Sequence, residues 1–244
     1  MLLTILYRIY LVCVFAPIIV VATILTAVIT VVGSAVGDGR WWGYYPQILW
    51  SRLFCWLAFV RVSVSGRENI DPSISYVFVA NHQGAYDIFA LLGYLGHNFR
   101  WMMKQSLSNI PFVGWACKAA GNIFVNNSTV ATTRHTIERA EQQLRDGMSL
   151  SVFPEGARTL TGRMGRFKKG AYMLAVEFGL PVVPVTIDGS YSVLRRTAVF
   201  PRPGHIRLTI HRPILPPASG THDLSSLMAE SREAIASALP ETFR

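Results

Sequence analysis

From Ile9 to Val36 the chain carries no charged residue, and no other feature restricts its fold as strongly. A helix of that length extends about 40 Å, more than the ~30 Å of hydrocarbon in a bilayer. The segment belongs in lipid. Pro17 marks a place for a kink, and the surplus length allows a tilt or a re-entrant turn in place of a straight span. Directly afterwards GDGRWWGYYP sets Trp41, Trp42, Tyr44 and Tyr45 beside Arg40, the aromatic cluster expected at a headgroup boundary. A second apolar stretch, ILWSRLFCWLAFV from Ile48 to Val60, is too short to span and contains Arg52; it reads as an interfacial helix or the return arm of a hairpin. A cleaved signal peptide is the competing reading, but the run is about twice a usual apolar core of that kind. Residues 1–60 are therefore expected to form a membrane anchor, either a span or a helical hairpin plus an interfacial helix. Arg40, Arg52, Arg61 and Arg67 follow the apolar run and only Arg8 precedes it, so the positive-inside tendency places the remainder in the cytoplasm, as on a bacterial-type inner membrane.

Residues 61–244 read as one α/β domain. VRVSVSG, SYVFVA, FRWMMK, NIFVN, SLSVFPEG, PVVPVTI and HIRLTIH have the character of strands. DIFALLGYL, TVATTRHTIERAEQQLRDG and GAYMLAVEFG have that of helices, the second with Thr129 or Thr132 as its cap and Gly147 as its stop. Such alternation predicts a mixed, mostly parallel sheet flanked by helices. The tail LSSLMAESREAIASALP predicts an amphipathic terminal helix packed on the core.

A net charge of +9 combined with 51% hydrophobic residues and a mean hydropathy of +0.33 points to a membrane surface. Nucleic acid, the other usual partner of a basic chain, is not expected, because zinc-finger spacings, basic-region heptads and aromatic RNP-like strands are missing. Cys13, Cys55 and Cys117 are odd in number and far apart, which supports neither a disulfide framework nor a zinc site. Much of the charge lies in GARTLTGRMGRFKKG, where Arg158, Arg163, Arg166, Lys168 and Lys169 meet no acid. A solvated loop would account for such a run. It follows a strand end, however, where α/β sheets gather ligands, so an anionic ligand is the sharper reading.

The chemistry centres on NHQGAYD. An imidazole accepts a proton at neutral pH, and a carboxylate on its other ring nitrogen fixes its tautomer and strengthens it as a base. His82 and Asp87 supply that pair, which is a hydrolase triad without its serine. No GxSxG elbow is present, no cysteine has an activating setting, and no histidine spacing suits a metal. The activated hydroxyl then belongs to a substrate. By themselves a histidine and an aspartate five apart read more readily as a satisfied turn histidine.

FPEGAR, about seventy residues later, changes that balance. With it the chain closely resembles the glycerolipid acyltransferase family, of which 1-acylglycerol-3-phosphate (lysophosphatidic acid) acyltransferase is typical, over about residues 60–190. NHQGAYD fits the first of the family's four ordered blocks, with His82 and Asp87 in the HxxxxD positions. GNIFVNN (121–127) resembles the second, FPEGART (153–159) the third, and LPVVPVTI the fourth, around Pro184. KQSLSNIPFVGW, with Lys104, Pro111 and Gly114, and RFKKG, with Lys168, also look like the family.

The resemblance implies that His82 takes the proton from a lysolipid hydroxyl while Asp87 orients it, and that the oxygen attacks a fatty acyl thioester without an acyl-enzyme. It assigns substrate binding to Lys104, Glu155, Gly156, Arg158 and Lys168, with the cations on a phosphate and Glu155 holding Arg158 or glycerol hydroxyls. No cofactor or metal is implied; acyl-CoA or acyl-carrier protein is the donor substrate, and a lysolipid and the bilayer are the other partners. Two departures bear on the acceptor: Asn127 stands where the second block usually ends in a phosphate-holding arginine, and Ala157 where a small hydroxyl residue is commoner. Lysophosphatidic acid is the expected acceptor. Another lysolipid, such as a lyso-ornithine lipid or lysophospholipid, or a non-catalytic module binding anionic lipid are the alternatives.

Overall fold

The computed structural model describes residues 2–125, 138, 140–142, 148–216 and 224–244. The apolar run becomes α1 (Leu2–Val36), one helix long and apolar enough to cross a membrane. Its π-helical turn at Leu11–Phe15 lies just before Pro17, where the ring removes the N–H that would bond four residues back.

A one-turn helix at Gly39–Trp42 reverses the chain into α2 (Tyr45–Leu57). The two long helices run antiparallel. At one end Trp42 covers Gly33, where an added Cβ would meet the indole at 2.3 Å. In the middle the Trp50 indole N–H donates to Thr23 Oγ1 at 2.9 Å. At the other end the Tyr10 hydroxyl donates to the Leu57 carbonyl at 2.9 Å and that of Tyr7 to the Ala58 carbonyl at 3.1 Å. The outer face of α1 stays apolar and open, from Leu3 through Val20 to Val36. In one respect the aromatic cluster differs from expectation. Tyr44 is buried and donates to the His97 carbonyl at 2.6 Å, and Trp42 packs on Gly33, so only Trp41 and Tyr45 are exposed. Turning the hairpin against the sheet takes two of the four rings for protein packing.

Seven strands follow: β1 (Val60–Ser65), β2 (Val77–Ala80), β3 (Phe99–Lys104), β4 (Ile123–Val125), β5 (Ser149–Val152), β6 (Val182–Asp188) and β7 (Gly204–Ile210). They form one sheet in the order β1-β7-β6-β2-β5-β3-β4, parallel throughout except between β6 and β7. Pro184 is tolerated inside β6 because the β6–β7 ladder starts only at Val185.

Helix α3 (Tyr86–Tyr94) covers one face of the sheet, while α5 (Gly170–Glu177) and α7 (Leu224–Ser237) cover the other; α4 (Val113–Ala119) and the short α6 (Ser190–Leu194) lie between strands in the chain. The all-apolar β2 is explained by this arrangement, since Phe78 and Ala80 pack towards α3 while Val77 and Val79 pack towards α5 and α7. The fold class is the one expected, and helices sit where DIFALLGYL, GAYMLAVEFG and the tail predict them. The predicted 131–146 helix lies largely outside the described residues, of which 138 and 140–142 are helical.

Gly33→Val tests the hairpin packing. The added methyls collide with Trp42, and the variant should lose about 1–3 kcal/mol of stability, read as a lower thermal midpoint in detergent with altered tryptophan emission.

Candidate active site

β2, β5 and β3 are adjacent and parallel, so the segments after their carboxyl ends meet at one edge of the sheet. NHQGAYD leaves β2 there. Asn81 fixes its course: the side-chain amide donates to the Ile187 carbonyl, and its oxygen accepts the Ile187 N–H, both at 2.8 Å. His82 and Asp87 then face each other across the turn into α3, with Nδ1 and Oδ2 2.8 Å apart. An ionised carboxylate oxygen only accepts, so Nδ1 carries the hydrogen and Nε2 presents a lone pair. Nε2 has no hydrogen-bond partner among the described residues.

Asp87 is fully buried, and its Oδ2 also accepts the backbone N–H groups of Gln83 at 2.7 Å and Gly84 at 2.9 Å. Its place in the first turn of α3 adds the favourable end of the helix dipole. Aromatic stacking sets the plane of the imidazole. Phe153 lies on the His82 ring with centroids 3.9 Å apart and planes 8° from parallel, and Trp101 stacks behind Phe153 at 5.4 Å.

The third block holds the backbone of the first. Glu155 Oε1 accepts the His82 N–H and Oε2 the Gly165 N–H, both at 2.7 Å, while the Thr159 N–H donates to the His82 carbonyl at 2.9 Å. Burial pushes the Glu155 carboxyl above the ordinary carboxylate range, and its two backbone bonds pull the other way. Glu155 makes no ion pair with Arg158 among the described residues. Its oxygens serve the polypeptide backbone, a use that the sequence gives no means of seeing.

Gly156 has φ +75°, a left-handed conformation, and the Lys168 ammonium lies only 2.7 Å from where its Cβ would stand. Lys168 is thereby brought over the third block. Arg158 is half-buried in the same loop, and Lys104 is exposed at the end of β3, with β5 between its strand and that of His82. Lys104 makes no hydrogen bond to the other site residues among those described. Asn127 lies outside the described residues.

Several supports escape sequence reading. Gln83 donates to the Gly162 carbonyl at 2.8 Å, tying the first block to the basic loop. Arg196, from the chain after α6, donates to the Arg158 carbonyl at 3.3 Å. Gly165 leaves room for Glu155, whose Oε2 a Cβ there would approach to 2.8 Å. Only the density of glycine and arginine in that loop hinted at any of this.

The family model described as Acyltransferase matches residues 61–188, from the start of β1 to the end of β6. The chain belongs to the acyltransferase family. Within it, the chain is 34% identical over 186 residues to a 1-acyl-sn-glycerol-3-phosphate acyltransferase of Chlamydomonas reinhardtii, covering 75% of this chain and 54% of that protein. It is 33% identical over 141 residues to a 1-acyl-sn-glycerol-3-phosphate acyltransferase of Pseudomonas aeruginosa, covering 56% of this chain and 54% of that one. The matches span about half the length of these curated relatives. The crystal structure of the 1-acyl-sn-glycerophosphate (LPA) acyltransferase PlsC from Thermotoga maritima superposes with a TM-score of 0.76 at 27% identity, covering 96% of this chain and 92% of that one. The chain therefore shares a whole-chain fold with that protein, hairpin and sheet together.

The double role of Glu155 is open to test. Glu155→Gln keeps one acceptor oxygen and turns an NH2 group towards a backbone N–H, so thermal unfolding in detergent should show a loss of about 1–3 kcal/mol.

Proposed function

We propose that this chain transfers a fatty acyl group from an acyl thioester, carried by acyl-carrier protein or coenzyme A, to the free hydroxyl of lysophosphatidic acid, giving phosphatidic acid. The observation that carries the reading is the 2.8 Å contact between His82 Nδ1 and Asp87 Oδ2, which leaves Nε2 as a base at the strand-end edge, in a chain of the acyltransferase family. The names of its relatives support the choice of acceptor.

Nε2 takes the hydroxyl proton as the lipid oxygen attacks the thioester carbonyl. The tetrahedral intermediate collapses to the ester and expels the thiolate, which recovers the proton from the His82 imidazolium. Asp87 holds the ring in position and offsets its transient charge. A thioester is already activated, so base catalysis and positioning suffice without a protein nucleophile. Arg158 and Lys168, and Lys104 from the end of β3, hold the acceptor phosphate. Glu155 and Gly156 act through the loop, one bonded to the His82 backbone and the other making room for Lys168.

Membrane placement follows from the same substrates. The lipid acceptor lies in the bilayer and the donor in water, which suits a site beside the hairpin on the cytoplasmic side. Leaving the outer face of α1 in water costs about 25 cal/mol for each Å² of apolar surface, and lipid removes that cost. Asn127 in the second block favours one second reading, acylation of a different lysolipid.

Purified protein, labelled acyl thioesters of both kinds and a panel of lysolipids decide between these. Transfer to lysophosphatidic acid is expected; strong transfer only to another lysolipid would replace the acceptor, and no transfer to any would leave a lipid-binding module. His82→Ala should lower kcat by about 10²- to 10⁴-fold while vesicle binding persists.

A further inference from the structure

Strand directions bring more to the catalytic edge than the catalytic residues. β1 is parallel to β7 and β7 antiparallel to β6, so β1 begins where β2, β5 and β6 end. Phe59, immediately before β1, therefore stands on the edge that carries His82. The amino-terminal end of α1 stands there too, since the Tyr10 ring lies 5.5 Å from that of Phe59.

Between these landmarks runs the connection from α6 to β7, RRTAVFPR at 195–202. It is tied on one side to the catalytic motif through the Gly84–Arg195 backbone bridge. On the other side, the Gly204 N–H donates to the Phe59 carbonyl at 3.3 Å. Its side chains are unusual for a loop in water. Val199 is 82% exposed and Phe200 41%, with Arg195, Arg196 and Arg202 exposed around them. Two apolar tips among three guanidinium groups match an anionic headgroup layer with hydrocarbon beneath it.

We propose that residues 195–202 make a second bilayer contact, in which Val199 and Phe200 enter the headgroup–acyl boundary and the three arginines engage anionic lipid. The proposal rests on the membrane placement above. The arginines alone would equally suit an acidic protein, but the exposed apolar pair, on the same edge as the apolar end of α1, favours lipid. With α1 on one flank and this loop on another, a lysolipid moving within the leaflet reaches His82 without leaving it.

The test uses the full chain carrying Cys13→Ser and Cys117→Ser, with an environment-sensitive NBD label at Val199→Cys; Cys55 is buried. On vesicles of phosphatidylglycerol and phosphatidylcholine the emission should brighten and shift to the blue, and lipids spin-labelled near the carbonyl should quench it. Thr197→Cys, on the same exposed connection, provides an independent label should the first variant fold poorly. A control label at Leu6→Cys on α1 reports binding of the hairpin. A Leu6 label that responds beside loop labels that stay water-like would sink the loop contact and leave the membrane reading intact. If no label responds, the membrane reading fails along with it. A response at Val199 to an acidic carrier protein, with none to vesicles, would reassign the surface to protein docking.

Discussion

One oxygen atom, Asp87 Oδ2, organises the site. It accepts the His82 ring and the backbone N–H groups of Gln83 and Gly84 within 2.9 Å, in a place closed to water. The same atom thus folds the turn out of β2 and sets the tautomer of the His82 ring. Removing it would lose both at once, because the buried N–H groups would be left without an acceptor. The orientation of the His82 ring and local folding are here a single hydrogen-bond problem.

Glu155 extends that economy to the second loop. It joins the His82 N–H to the Gly165 N–H, so the basic segment and His82 share one support. Gln83 repeats the link through Gly162. The cations of the loop are therefore placed relative to Nε2 by backbone geometry. Stacking of Phe153 and Trp101 against the imidazole does the corresponding work for the ring plane.

The hairpin obeys two solvents. Its inner face needs specific contacts, a glycine beneath Trp42, a threonine for the Trp50 indole and two tyrosine hydroxyls on backbone carbonyls. Its outer face carries only apolar bulk. Hydropathy cannot separate these faces, because both are apolar by composition. That is why Trp42 and Tyr44, which read as headgroup anchors, are instead packing residues.

Periodicity and turn residues were enough to read seven strands, a mostly parallel sheet and an apolar amino-terminal helix, since those patterns are local consequences of burying side chains at intervals of two or of three to four. The residue types and order of NHQGAYD and FPEGAR likewise marked His82, its partner Asp87 and the cation-rich loop beside them. Tertiary structure alone decided which groups answer to one another. The grip of Glu155 on the His82 backbone, the fit of Lys168 above Gly156 and the arrival of Arg196 beside Arg158 join positions from 12 to 73 residues apart, a span over which spacing carries no distance information, because only the closure of the sheet brings the loop ends together.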